Sequence, residues 1–168
     1  MSQLEPPDSH FYSAAQGWIE LGLPAEAENE LLRISPGNQA QPCILDLRWG
    51  LAARSEDWPK GLAISQQLLD SAPDQVTGWL HRSYSLRRLP AGGLQAAWDA
   101  LWPARGKFPG EPIVHFNLAC YAVQLGRLDE AWDLFQDALK AGEPKIIRQM
   151  ALQDPDLEPL WERIRQAG

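Results

Sequence analysis

Small residues recur along this chain at a nearly constant interval, each within an apolar helical run. Ala27, Gly61, Ala97 and Ala131 are separated by 34, 36 and 34 residues. A repeat of this length accommodates two helices joined by a turn. The spacing therefore predicts tandem helix pairs. A small side chain at the same place in each pair predicts that the two helices approach closely there.

The fourth copy shows the pattern most clearly when its positions are numbered from Pro112. Positions 4, 7, 8 and 11 form one face of a first helix, and they hold His115, Leu118, Ala119 and Ala122. Gly126 at position 15 predicts a left-handed or tight turn that ends this helix. Positions 20, 24 and 27 form one face of a second helix, and they hold Ala131, Phe135 and Ala138.

The other copies repeat this spacing with local departures. The first copy has Gly22 at position 15, and the turn of the third copy, residues 90–93, is two residues longer. The second and third copies place Arg48 and Arg82 at position 7, which is normally buried. Because a buried charge needs a partner, a structural role is favoured over ligand binding. Their heads would reach water or an acid, or form a buried ion pair, with Asp46 and Asp99 as the candidate acids.

This spacing resembles the tetratricopeptide repeat family across residues 8–145. A narrower resemblance, to a group of bacterial repeat proteins of unassigned function, is carried by residues 78–86, 117–121, 124–126 and 150–161. The resemblance to the tetratricopeptide repeat family implies an all-α, right-handed solenoid of four helix–turn–helix repeats, at about 8–41, 42–75, 76–111 and 112–145. It implies no reaction.

The two ends of the chain fit such a solenoid. Residues 1–7 carry two prolines and are predicted to be a disordered tail. Residues 146–168 are predicted to cap the last repeat, with Asp154-Pro155 beginning a helix. The apolar face of this capping helix would consist of Leu157, Leu160, Trp161 and Ile164.

Charge and composition restrict the function classes. The net charge of −7, from 22 acidic and 15 basic residues, argues against binding to nucleic acid or to an anionic membrane. Residues 48–107 nevertheless form a basic island, with eight basic and five acidic residues. No leader-like or membrane-spanning apolar run occurs, and a soluble, cytoplasmic protein is expected.

Catalysis, metals and cofactors find no support in the sequence. Cys43 and Cys120 are far apart and lack metal-ligand spacing, so they are interpreted as buried free thiols. His10, His81 and His115 each lie near the start of a first helix, without acidic or thiol partners at ligand spacing. His115 is interpreted as a core residue.

The resemblance places a binding surface on the concave face, chiefly at positions 2, 5, 9, 12 and 13 of the first helices. At positions 2 and 5 these residues are Ser9, Tyr12, Cys43, Asp46, Thr77, Leu80, Ile113 and Phe116. The residues predicted to bind a partner are Tyr12, Arg54, Leu80, Tyr84, Arg87, Arg88, Phe116 and Asn117.

Within that set, Arg54 and Arg88 share position 13 of adjacent repeats. Their guanidinium groups would pair with the carboxylates of an acidic or C-terminal peptide segment, above an aromatic floor of Tyr84 and Phe116. A solvated charged face is the alternative at equal weight.

The leading hypothesis is thus a non-catalytic module that binds an unidentified protein or peptide. The alternatives are a self-associating scaffold and a repeat-type chaperone. Trp58 and Trp102 would mark a further contact site if they were exposed together.

Overall fold

The computed structural model describes residues 4–167, and within that range the chain is helical with no β-strand. The all-α repeat arrangement predicted from the sequence is confirmed. The α-helices are α1 (Asp8–Glu20), α2 (Pro24–Leu32), α3 (Pro42–Arg54), α4 (Trp58–Ser71), α5 (Val76–Arg88), α6 (Gly93–Lys107), α7 (Pro112–Gln124), α8 (Leu128–Ala141), α9 (Pro144–Ala151) and α10 (Trp161–Gln166). Short 3-10 helices cover Pro36–Asn38 and Pro155–Leu160.

The repeat register appears directly in the helix boundaries. Helices α1, α3, α5 and α7 each contain 13 residues and begin at position 1 of their copies. Proline opens α3 and α7, where its missing N–H removes no helical hydrogen bond. Each sequence copy therefore supplies one first helix, called an A helix below, followed by a second helix.

Residue contacts divide the chain into two compact units, residues 1–81 (unit 1) and 82–168 (unit 2), with the boundary inside α5. In unit 1, α1 packs on α2 and α3 packs on α4; in unit 2, α7 packs on α8. The alanines at positions 8 and 20 are fully buried in both the first and the fourth copies. They are Ala15, Ala27, Ala119 and Ala131.

The turn after the A helix uses left-handed backbone at position 15 in the first, second and fourth copies. Gly22 has φ 74°, Gly126 has φ 77°, and Glu56 of the second copy has φ 55°. The conformation is therefore imposed by the fold even where the sequence lacks glycine. In the longer third turn the left-handed residue is Gly93, with φ 86°.

In the second copy, Arg48 at position 7 is bound by polar groups near the end of the first repeat, whereas Trp49 at position 8 packs against the core of α3 and α4. The Arg48 guanidinium donates to the side-chain oxygen of Gln39 and to the Leu31 carbonyl at the end of α2. The Trp49 ring stacks on His81, with centroids 3.6 Å apart and an interplanar angle of 5°. Thus the alternative of a buried ion pair between Arg48 and Asp46 is wrong, because a neutral amide and a helix-end carbonyl bind the guanidinium.

The expected role of Asp99 as a buried partner is also wrong. Asp99 is exposed, and its carboxylate accepts a hydrogen bond from Gln95, four residues earlier on α6. Arg82 is half-buried, which agrees with a side chain whose stem packs inward while its head reaches water.

A buried carboxylate closes the first repeat. Asp8, at the start of α1, is only 3% exposed. Its Oδ1 accepts hydrogen bonds from the backbone N–H and the hydroxyl of Ser35, both at 3.0 Å, and its Oδ2 accepts one from Asn38 at 2.6 Å. The Asn38 hydrogen bond, followed by those from Ser35, lowers the pKa of this carboxyl. The charge therefore joins α1 to the 3-10 helix after α2.

The C-terminal segment packs as predicted for its apolar residues. Leu157, Leu160 and Ile164 are buried, and the indole N–H of Trp161 donates to the Ala151 carbonyl at 2.7 Å. The Asp154 carboxylate accepts a hydrogen bond from the Asp156 N–H at 3.0 Å, which caps the 3-10 helix. At the other end, Leu4 packs against the core of unit 1, although it belongs to the predicted disordered tail; residues 1–3 lie outside the described range.

Over the described residues, none of the helices combines the length and the apolar character needed to span a membrane.

The position-15 turns give a paired stability prediction. Gly126→Ala should destabilise the protein by about 1 kcal/mol, because a Cβ disfavours left-handed backbone. Glu56→Gly should stabilise it by about 0.5 kcal/mol, since the strain removed exceeds the added flexibility of the unfolded chain. Urea denaturation would measure both, with Gly110→Ala as the control, because a Cβ at either glycine meets nothing within 4 Å but only Gly126 has left-handed backbone. Equal effects at Gly126 and Gly110 would contradict the strain argument.

Asp8 gives a pH-dependent prediction. Because the folded-state pKa of Asp8 lies below the unfolded value of about 3.9, its stabilisation is present above that pH and is lost as the pH falls through the folded pKa. Asp8→Asn should lower the Tm at pH 7 and approach the wild-type Tm in acid. Thermal unfolding followed by circular dichroism would measure this, with the exposed Asp70→Asn as control. A Tm difference independent of pH would disprove the role of the charge.

Candidate functional site

Positions 2 and 5 of the A helices lie together in unit 1. Ser9, Cys43 and Thr77, all at position 2, and Tyr12 and Asp46, both at position 5, line one cavity of about 670 Å³. Its other lining residues are Leu4, Ser13, Pro42, Leu68 and Gln75. The cavity arises because equivalent residues of successive copies point in the same direction.

Asp46 is held in a fixed orientation beside this cavity. Its Oδ1 lies 2.6 Å from Nε2 of His81, and the His81 ring stacks on Trp49. The Asp46 side chain remains 55% exposed, whereas that of His81 is 17% exposed. The imidazole therefore orients the carboxylate without removing it from solvent.

The two other ionisable groups in the cavity are neutral at physiological pH. Burial, followed by the nearby Cys43 and Asp46, raises the pKa of Tyr12. Burial also raises the pKa of the Cys43 thiol, which is half-buried. Asp46 is consequently the formal charge of this cavity.

The other predicted residues of unit 1 lie outside that lining. Arg54 is exposed and borders a smaller cavity of about 290 Å³ with Ile19, Gly22, Pro24 and Leu51. Leu80 is half-buried on α5.

In unit 2, two predicted arginines are engaged by the protein. Arg87 forms an ion pair with Asp156 and lies 5.6 Å from the centroid of the Tyr121 ring. The hydrogen bond with Asp156 raises the pKa of Arg87 further. Arg88 lies 3.4 Å over the ring of Tyr84, which is 37% exposed, and donates to the Tyr84 carbonyl at 3.3 Å.

Phe116 and Asn117 take different positions from those expected. Phe116 is only 4% exposed, so it cannot present an open aromatic floor beside Tyr84. It lines an apolar cavity of about 260 Å³ together with Ile113, which is the position-2 residue of the same helix. The remaining lining residues are Pro112, Glu143, Ile146, Ile147 and Met150. Asn117 is half-buried.

One cluster of possible metal ligands was not identified from the sequence. The ligand atoms of Cys120, Asp154 and Asp156 lie within 4.8 Å of one another. However, Asp156 is paired with Arg87, and burial followed by the charges of Asp154 and Asp156 raises the pKa of the Cys120 thiol. The cluster therefore joins α7 to the capping segment through a protonated thiol, an ion pair and a helix cap. Residues 34 and 36 apart carry no local signal of such a contact.

His115 and Trp102 of unit 2 have packing roles. His115 is 4% exposed, and its Nε2 lies 3.1 Å from the Pro109 carbonyl, as expected of a core histidine. Trp102 is 38% exposed and stacks on Trp98 with centroids 4.9 Å apart. Trp58 is half-buried in unit 1.

The proteins that resemble this chain in sequence are much longer than the chain. No protein-family model matches the chain. The transcriptional regulator MalT of Yersinia pestis (strain Pestoides F), of the helix-turn-helix type, is 30% identical over 155 residues, which covers 82% of this chain and 16% of MalT. MalT of Yersinia pseudotuberculosis (strain YPIII) has the same identity and coverage. The chain thus spans about a sixth of the length of these relatives.

Comparison with solved structures is more informative about the fold. TTC0263, a thermophilic tetratricopeptide repeat protein of Thermus thermophilus, aligns with a TM-score of 0.72 and 18% identity, over 94% of this chain and 82% of that one. The crystal structure of MamA aligns with a TM-score of 0.69 and 14% identity, over 83% and 81% of the two chains. Together with the helix register described above, these similarities show that the chain has the fold of the tetratricopeptide repeat proteins.

Proposed function

We propose that this chain is a non-catalytic, cytoplasmic interaction module that binds a peptide or helix of a partner protein in a concave groove lined by its A helices. One observation carries the proposal. In each unit, positions 2 and 5 of the A helices line a cavity. Stacked repeats commonly use such repeated inward positions as extended binding surfaces.

The chemistry of the unit 2 cavity favours an apolar anchor. Ile146 is 52% exposed and Met150 is 38% exposed, although both lie beside the buried Phe116. Ile113 is half-buried at the same cavity. A partner that covers these side chains with a leucine or a phenylalanine would remove apolar surface of both molecules from water.

The arginines provide the second part of the proposal. Arg54 is exposed at position 13 of α3, and Arg88 is preorganised by its contact with the Tyr84 ring. Either guanidinium would pair with a carboxylate of an acidic segment. Arg87 is not included in this role, because Asp156 already binds it. Of the other predicted residues, Tyr12 lines the unit 1 cavity and Phe116 lines the unit 2 cavity; Leu80, Tyr84 and Asn117 stay predictions.

The apolar anchor is tested by Ile146→Glu. A charge at this exposed position should weaken partner binding about tenfold or more, because the carboxylate must be desolvated in the complex. The measurement is quantitative affinity capture from a cytoplasmic extract with the wild type and the variant. Leu32→Glu is the matched control, since Leu32 is 65% exposed on α2, outside the A helices. Equal retention of the same partner by all three proteins would refute the apolar anchor.

The acidic segment is tested by the double variant Arg54→Glu and Arg88→Glu. The variant should lose the partner through charge repulsion while circular dichroism shows an unchanged helix content. The control is the double variant Arg33→Glu and Arg163→Glu, which makes the same charge change outside the proposed site and should retain the partner. If both double variants keep the partner, the arginines form a solvated face.

Light scattering of the wild type at two salt concentrations tests self-association, and a salt-sensitive oligomer would support the scaffold instead.

A further inference from the structure

The unit 1 cavity differs in charge from the surface proposed to bind an acidic segment. Asp46 supplies its formal charge, and the remaining lining is neutral, with an aromatic ring from Tyr12 and apolar groups from Leu4, Pro42 and Leu68. A cavity of about 670 Å³ with these walls accommodates a long side chain. The lining therefore offers a ligand one carboxylate and no cationic side chain.

The charge of the surrounding unit has the same sign. Residues 1–81 contain eleven acidic and four basic residues, a balance of −7, whereas residues 82–168 contain eleven of each. The whole formal charge of the protein therefore belongs to unit 1. Such a field attracts cations and raises the rate of their encounter with the surface.

The position of Asp46 is suited to accept a hydrogen bond from such a cation. His81 contacts its Oδ1 at 2.6 Å, and a carboxylate has further acceptor sites on both oxygens. Stacking of His81 on Trp49 fixes the imidazole and, through it, the carboxylate. Little side-chain entropy is then lost when a ligand binds.

We propose that this cavity binds the side chain of an arginine or lysine presented by a partner peptide. The Asp46 carboxylate accepts hydrogen bonds from the cationic head, and the Tyr12 ring lies beside the cation as a π surface. The apolar stem of the basic residue packs against Leu4 and Pro42. The inference rests on the proposed function in taking the ligand to be a peptide, but it requires neither the arginines nor the unit 2 cavity.

Selection from a phage-displayed library of random dodecapeptides tests the inference with three proteins, the wild type, Asp46→Asn and Asp70→Asn. Asp70 is an exposed acid of unit 1 outside the cavity, so its variant makes the same charge change without altering the lining. We expect wild type and Asp70→Asn to enrich peptides with a recurrent arginine or lysine. Asp46→Asn should lose that enrichment.

A selected peptide is then synthesised with its basic residue and with citrulline or norleucine at that place. Binding of the neutral peptide to wild type should be at least tenfold weaker, and both peptides should bind Asp46→Asn alike. Amide shifts in nuclear magnetic resonance spectra should locate the basic peptide at Tyr12, Cys43 and Thr77.

The outcomes separate the two proposals. Peptides enriched without a basic residue, or bound equally by wild type and Asp46→Asn, would overturn the basic-residue site and leave the interaction module intact. Failure to enrich any peptide on any of the three folded proteins would overturn both. Shifts confined to residues outside the cavity would show that the acidic surface attracts the peptide nonspecifically, which also rejects the site.

Discussion

Close contact between the two helices of each repeat is the constraint on which the other features depend. Fully buried alanines occupy positions 8 and 20 in the first and fourth copies, and a larger side chain there would force the helices apart. The second copy combines Trp49 at position 8 with Gly61, the smallest residue, at position 20. Trp49 packs against the core residues of both α3 and α4 while its ring stacks on His81, and the helix pair α3–α4 still forms.

That contact also determines which side chains remain for binding. When positions 4, 7, 8 and 11 face the partner helices, positions 2 and 5 are directed to another side of each A helix. The same positions of successive copies then meet. This geometry brings Ser9, Cys43 and Thr77 to one cavity, although they are 34 residues apart in sequence. The cavity is therefore a consequence of the repeat and does not require a separate structural element.

The sequence predicts what is local and periodic. The starts of the repeats, the left-handed turns at Gly22 and Gly126, and the cap at Asp154 follow from patterns within a few residues. It does not predict contacts between distant, non-equivalent positions. The ion pair of Arg87 with Asp156 joins residues 69 apart, and no periodicity indicates that the capping segment neutralises this arginine. Burial of Phe116 likewise depends on how α9 packs.

The two units also differ in how their acidic residues are paired. In unit 2 several acids form internal ion pairs, such as Asp156 of the capping segment with Arg87 and Asp137 of α8 with Arg105. Unit 1 has few cations to pair with its acids, and Asp46 is oriented by an imidazole. A carboxylate held this way keeps accessible acceptor sites. The repeat geometry places this carboxylate in the cavity that we propose as a binding site, and its charge would favour a cationic side chain of a partner over an anionic one.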